Sequence, residues 1–375
     1  MIYLRYTEQR ENALYASWAY DIGEDDYSNV LQVLNTEFRS FGDGLIDVMS
    51  QKEGRQISAP IDYLSEKCNQ AKIPLSVIGS TNSLKSWFNG GPRPKKGEDS
   101  RRKMFAIAFA LKLTPDETAN LFHKVYLDRA FNQRNYKELI YYHCLSRGAS
   151  FQNAEDMIAR AQPLSDAGDK TVYTAYLAKE ASQIEKADEL LAYIQTHGHN
   201  FSLNNKSAKD ILCQQKKKAL DFAQRQAQSA WDDATFYGKD RTSDSFLYAA
   251  VTERSVAGKK GTELLPFKDA TLPKEIKTNF PQAKSLSDKL ESYEEIRKVI
   301  ILLFSYHFWG EAQMQSVSDI YDDYTSQLND LLIRANLSEL YYGNPYDWMF
   351  LYCTYADRPL DTFHGILAEI LDEKD

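Results

Sequence analysis

At 375 residues the chain is longer than one hydrophobic core usually serves, so two or three domains are expected. With 43% hydrophobic and 26% charged residues it is neither disordered nor fibrous, and its net charge of −8 is very unevenly spread. The most apolar run, VIILLFSYHFW at 299–309, is too short for a membrane span and is expected as a buried helix. The opening MIYLRYTEQREN is charged where a secretory leader would be apolar, and Cys68, Cys144, Cys213 and Cys353 form no CxxC pair. A cytoplasmic protein with reduced, buried thiols is therefore expected.

In chain order, residues 1–55 read as an N-terminal helical extension. Val30, Leu31, Val33, Leu34, Phe38, Leu45, Ile46 and Val48 fall at helical spacing, and Gly42 and Gly44 are expected to break this stretch into two helices. Residues 61–71 form a short amphipathic helix. A second short helix over 81–88 should be capped by Ser80 and stopped by Gly90-Gly91-Pro92. Residues 101–113 carry Met104, Phe105, Ile107, Ala108 and Leu111 on one face. Thr114-Pro115-Asp116-Glu117 is a complete helix start: Thr as N-cap, Pro at N1, Glu at N3 closing a capping box. From 133 to 255 helical hairpins are expected, with 136–145 and 151–160 flanking the Arg147-Gly148 turn. A degenerate repeat between this hairpin and 189–212 is suggested by shared Glu-Leu, Tyr, Gly and Phe positions. The Gly- and Pro-rich stretch 256–284 has no clean period and is expected as an exposed connection. Beyond it lies an acidic helical domain, 285–375, with Ser292-x-x-Glu295 opening its first helix.

The basic segment carries the functional argument. From Lys72 to Lys103, eight lysines and arginines stand against only Glu98 and Asp99, a net of +6 inside an acidic chain. Such clustering is the usual footprint of a polyanion partner. Residues 56–132 are expected to form the binding domain. Leu84, Trp87, Gly90 and Pro94, followed by FAIAFALKLTPDE at 105–117, resemble the second half of a Cro/C1-type (XRE) helix-turn-helix domain. The resemblance covers about a fifth of the chain. It departs from the family at 73–79, an apparent insertion that lengthens the helix spacing. It implies an all-α fold, a helix-turn-helix unit followed by a repeat-like helical-hairpin bundle, and a duplex DNA partner. Leu84, Trp87, Gly90 and Pro94 would form the motif's structural core. Thr81, Asn82, Ser83, Lys85 and Ser86 are short or flexible hydrogen-bonding side chains on the expected recognition helix, suited to base edges. Arg93, Lys95, Lys96, Arg101, Arg102 and Lys103 suit phosphate contacts, and a basic triplet at a helix start is unfavourable unless an anion compensates it.

Weaker signals are assigned to structure. His197-x-His199 lacks further ligands, Lys216–Lys218 reads as a solvated helix face, and 341–348 reads as a packed aromatic turn. No Walker, GxSxG or HExxH motif is present, so no enzyme, cofactor or metal is expected. The expected function is sequence-specific DNA binding by a transcriptional regulator. The helical-hairpin domain would serve homodimerisation or effector sensing, and the C-terminal helical domain would take a peptide or protein effector. The alternative is a helical adaptor or scaffold, of a mobile-element or anti-phage type, whose helix-turn-helix unit binds protein.

Overall fold

The computed structural model describes residues 30, 33–34, 38–94, 96–132, 135–161, 183–197, 206–230, 243–253, 276, 280–281, 283–286, 290, 292–314 and 320–370. The fold is all-α, and no strand occurs among the described residues. The chain divides into two compact units. Among the described residues, the first holds 39–197, and the second holds 30–38 together with 206–370.

In the first unit, α1 (Phe41–Glu53), α2 (Pro60–Gln70), α3 (Leu75–Ile78) and α4 (Thr81–Phe88) precede α5 (Glu98–Ala110) and α6 (Pro115–Asn120). A π-helical turn over Leu121–Tyr126 then leads to α7 (Tyr136–Ser146), α8 (Phe151–Arg160) and α9 (Ala187–Thr196). Several starts have a local cause. Ser40 closes a capping box with Asp43, and Thr114 closes another with Glu117. Gly42 and Gly44 do not break a helix. They lie in the first turn of α1, and the break falls before Ser40. Glycine is needed there because the helix is pressed against its neighbours: a Cβ on Gly42 would stand 2.1 Å from the Trp87 carbonyl oxygen.

One core runs through all these helices, joining Leu45, Leu64, Leu84, Phe105, Phe122, Ile140, Phe151 and Ile194. A domain boundary at 132/133 therefore does not exist, because α7–α9 complete the core that α1–α6 begin. Ring contacts such as Phe105–Tyr141, stacked at 4.6 Å, carry the join.

The second unit contains α10 (Lys206–Ala230), α11 (Asp244–Thr252), a 3-10 turn over Ala283–Leu286, α12 (Tyr293–Met314), α13 (Tyr321–Arg334), α14 (Pro345–Tyr355) and α15 (Pro359–Ile370). Its core joins Phe246 and Val251 with Ile276, Phe280, Ile300, Trp309 and Trp348, so residues on both sides of the expected 256–284 connection share one interior. Most of that connection lies outside the described residues, while Ile276 and Phe280 within it are buried rather than exposed. The apolar 299–309 run is the buried middle of α12, as expected. The turn at 341–348 is packed, with Tyr346, Asp347 and Trp348 fully buried. Cys68, Cys144 and Cys353 are buried, but Cys213 is exposed on α10. The suggested repeat between 136–160 and 189–212 fails, because α9 and α10 belong to different units. Among the described residues, no helix is long and apolar enough to cross a membrane.

Buried titratable groups make stability pH-dependent. Burial, aided by the Arg147 charge, pushes His143 down to about 4; burial, aided by Lys218, does the same to His307. Below 6.5 the unfolded chain binds protons that the folded chain refuses, so stability falls as pH falls towards 4. Asp128 adds a lower window. Burial raises its carboxyl, but Arg101, Lys96 and Arg129 outweigh that and hold it at about 2, so its contribution is lost below about 4. The melting temperature is therefore expected to drop on acidification from pH 6.5 to 4 and again below 4. A melting temperature constant from pH 7 to 4 would contradict the neutral burial of these histidines.

Candidate nucleic-acid interface

The apparent insertion at 73–79 is a helix of its own. Ile73 is buried, Leu75–Ile78 forms α3, and only Gly79 and Ser80 separate it from α4. α3 and α4 thus follow one another across a two-residue turn, and α2 packs against both. Ser80 caps α4, its Oγ accepting from the Ser83 amide at 3.2 Å. At the other end Gly90 adopts φ +77, and the Gly91 amide donates to the Ser86 carbonyl at 2.7 Å, closing a left-handed cap that only glycine accommodates without strain.

α4 is amphipathic. Leu84 and Trp87 are buried, Trp87 meeting Phe41 edge-on at 5.2 Å. Thr81, Asn82, Lys85, Ser86 and Asn89 lie along the opposite, exposed face. Among the described residues, no hydrogen-bond or ion partner engages the side chains of Thr81, Asn82, Lys85 or Ser86. Ser83 departs from expectation: it is half-buried and its Oγ lies 2.9 Å from that of Ser80, so it belongs to the cap rather than to the exposed face.

The basic residues that follow are largely used within the protein. α5 begins at Glu98 rather than 101, so the first turn is acidic and complements the helix dipole. The triplet Arg101–Lys103 sits one turn later, and its compensating anions are the protein's own. Arg101 is buried and pairs with Glu138 and Asp128 at 2.7 Å each. Burial disfavours its charge, but the two carboxylates hold its pKa above the usual arginine range. Arg102 pairs with Glu155 at 2.6 Å and lies over the Phe151 ring. The half-buried Lys96 donates to the Leu127 carbonyl at 2.5 Å. These three are therefore not free phosphate ligands, a correction that sequence spacing could not supply because their partners lie 27 to 53 residues away.

Arg93 and Pro94 are half-buried in the loop, Lys95 lies outside the described residues, and Lys103 makes no ion pair among them. Arg102, Lys137, Tyr141, Glu155, Glu98 and Ile158 line a cleft of about 220 Å³ beside α5. Lys137 pairs with Glu98 and Arg102 with Glu155, whose carboxylate also accepts from the Tyr141 hydroxyl.

Elsewhere, His197 rests on Tyr193, its ring nitrogen 3.0 Å from the Tyr193 carbonyl, and His199 lies outside the described residues. Lys216 pairs with Asp244 while Lys217 and Lys218 face solvent. No protein-family model, curated protein or solved structure matches the chain.

Proposed function

We propose that the first unit binds duplex DNA through α4, as part of a transcriptional regulator. One observation carries this reading: an exposed polar stripe of Thr81, Asn82, Lys85 and Ser86 on a short helix held from behind by Leu84 and Trp87. Such a helix, entered from a two-residue turn, can lie in the major groove with its first turn at the base edges. Asn82 suits adenine, Lys85 guanine, and Thr81 and Ser86 either base. Lys103, which makes no ion pair among the described residues, is left to contact phosphate, a smaller set than the +6 segment implies. That reduction favours a second reading, a helical adaptor whose α4 face meets a protein.

The two separate by mutation. Asn82→Ala and Lys85→Ala should each weaken binding to the preferred site, selected from a random duplex pool, by about 1–3 kcal/mol while hardly changing binding to random DNA. Equal losses on both would show that these side chains do not read bases.

A further inference from the structure

The Arg101 cluster has a twin in the second unit. Arg101, on α5, donates from Nε and Nη2 to both oxygens of Glu138 at 2.7 Å each. Arg297, on α12, donates from Nη1 and Nη2 to both oxygens of Asp347 at 2.7 and 2.6 Å. Each acid is the third residue of the helix it stands on, α7 or α14, and each helix is capped by an asparagine. Asn135 accepts from the Lys137 amide, and Asn344 accepts from the Tyr346 amide.

The agreement extends to the backbone. Segments 127–135 and 336–344 have equal length. Each opens on a left-handed residue, Leu127 at φ 55 and Asn336 at φ 56, and each closes on its capping asparagine. Arg101 also donates to the third and fourth carbonyls of its segment, those of Arg129 and Ala130. Arg297 donates to the third and fourth carbonyls of its own, those of Ser338 and Glu339. The sixth amide, of Asn132 or Tyr341, donates to the clamped carboxylate at 2.7 or 3.0 Å. The sixth carbonyl accepts from the capping asparagine's amide at 2.8 Å in both.

The helices around the clamps pair in the same order. In the first unit α5 packs on the π turn, α6 on α7, α7 on α8 and α8 on α5; in the second, α12 on α13, α13 on α14, α14 on α15 and α15 on α12. Nine residues after each capping asparagine stands a buried cysteine, Cys144 or Cys353. Six residues after it stands an aromatic, Tyr141 or Phe350, which meets a phenylalanine of the next helix, Phe151 or Phe363.

An isolated arginine–carboxylate pair is common, but nothing in its chemistry demands the same loop length, the same two carbonyls and the same amide. We infer that residues 98–160 and 293–370 are two copies of one four-helix module. In each, a buried arginine acts as a positioning residue, fastening the first helix to the loop before the third. The copies have since diverged. The first has a shorter leading helix and a second carboxylate, Asp128, on its arginine; the second has buried Leu337 at the matching place. Arg101 is thus a property of the module, and its presence in the basic segment is incidental to any polyanion.

The test uses the full chain and no DNA. Arg101→Gln and Arg297→Gln each leave a carboxylate buried without its partner, so each should lower the melting temperature of its own unit by about 10 °C. By hydrogen exchange, the first should speed the amides of 127–139 about ten-fold and spare 336–348, and the second should do the reverse. Exchange is read at low temperature, where both variants remain folded. A chimera carrying residues 336–344 in place of 127–135 should keep cooperative unfolding, since the clamp uses backbone groups at matched positions. The same graft shortened by one residue should lose it. The inference is overturned if one clamp proves silent while the other unfolds its unit. It is also overturned if the full-length graft does no better than the shortened one.

Discussion

Trp87→Ala is expected to cost the first unit about 3–5 kcal/mol, the usual loss when a buried aromatic is truncated. Trp87 is 6% exposed, meets Phe41 edge-on at 5.2 Å, and fills the space in front of Gly79, whose Cβ position lies 3.7 Å from its ring. Without it α4 loses its ring contact with α1, and the cavity cannot collapse because the Trp87 backbone already touches Gly42. The measurement is urea unfolding, with hydrogen exchange of residues 41–53 and 81–88 showing where protection is lost. A variant of normal midpoint would mean that α4 is held by something other than this ring.

Gly42→Ala provides a test with a sign that ordinary helix propensity would get wrong. In an exposed helix, glycine to alanine stabilises by up to about 1 kcal/mol. At Gly42 the added Cβ would lie 2.1 Å from the Trp87 carbonyl oxygen and 2.8 Å from the Phe88 Cα, both backbone atoms with little freedom. α1 and α4 must then separate, and overpacking of this kind costs about 1–3 kcal/mol or more. Gly44→Ala meets only the Val125 side chain, at 2.9 Å, and should cost less. If Gly42→Ala raises stability, the α1–α4 approach described above is wrong.

What could be read from the sequence was local. Ser80, Gly90 and the Thr114-Pro115-Glu117 start announce their helix ends within a few residues, because capping is a short-range interaction. Leu84 and Trp87 announce the buried face of α4 by their spacing. The 73–79 stretch was opaque because α3 is a single turn, too short to show a period. Gly42 looked like a breaker because its role depends on α4, more than 40 residues away.

The larger misreading concerned charge. Arg101 and Arg102 look like a polyanion site until Glu138 and Glu155 arrive from α7 and α8, and nothing near 101 in the chain foretells that. A legible signal did exist: Asn135-x-x-Glu138 and Asn344-x-x-Asp347, each with a cysteine nine residues after the asparagine. It marks the module that recurs, whereas the similarity between 136–160 and 189–212 was composition alone.

The DNA-binding reading rests on α4, and the salt dependence of duplex binding by the intact chain tests it most directly. Each phosphate engaged should add about 0.9 to the slope of log affinity against log salt. With Lys103 as a phosphate contact and the Lys85 charge on the exposed face, the account predicts measurable binding at low salt that weakens steadily, with a slope of about −1 to −2. Absence of duplex binding at low salt, or an affinity indifferent to salt, would contradict it and leave the α4 face to a protein partner.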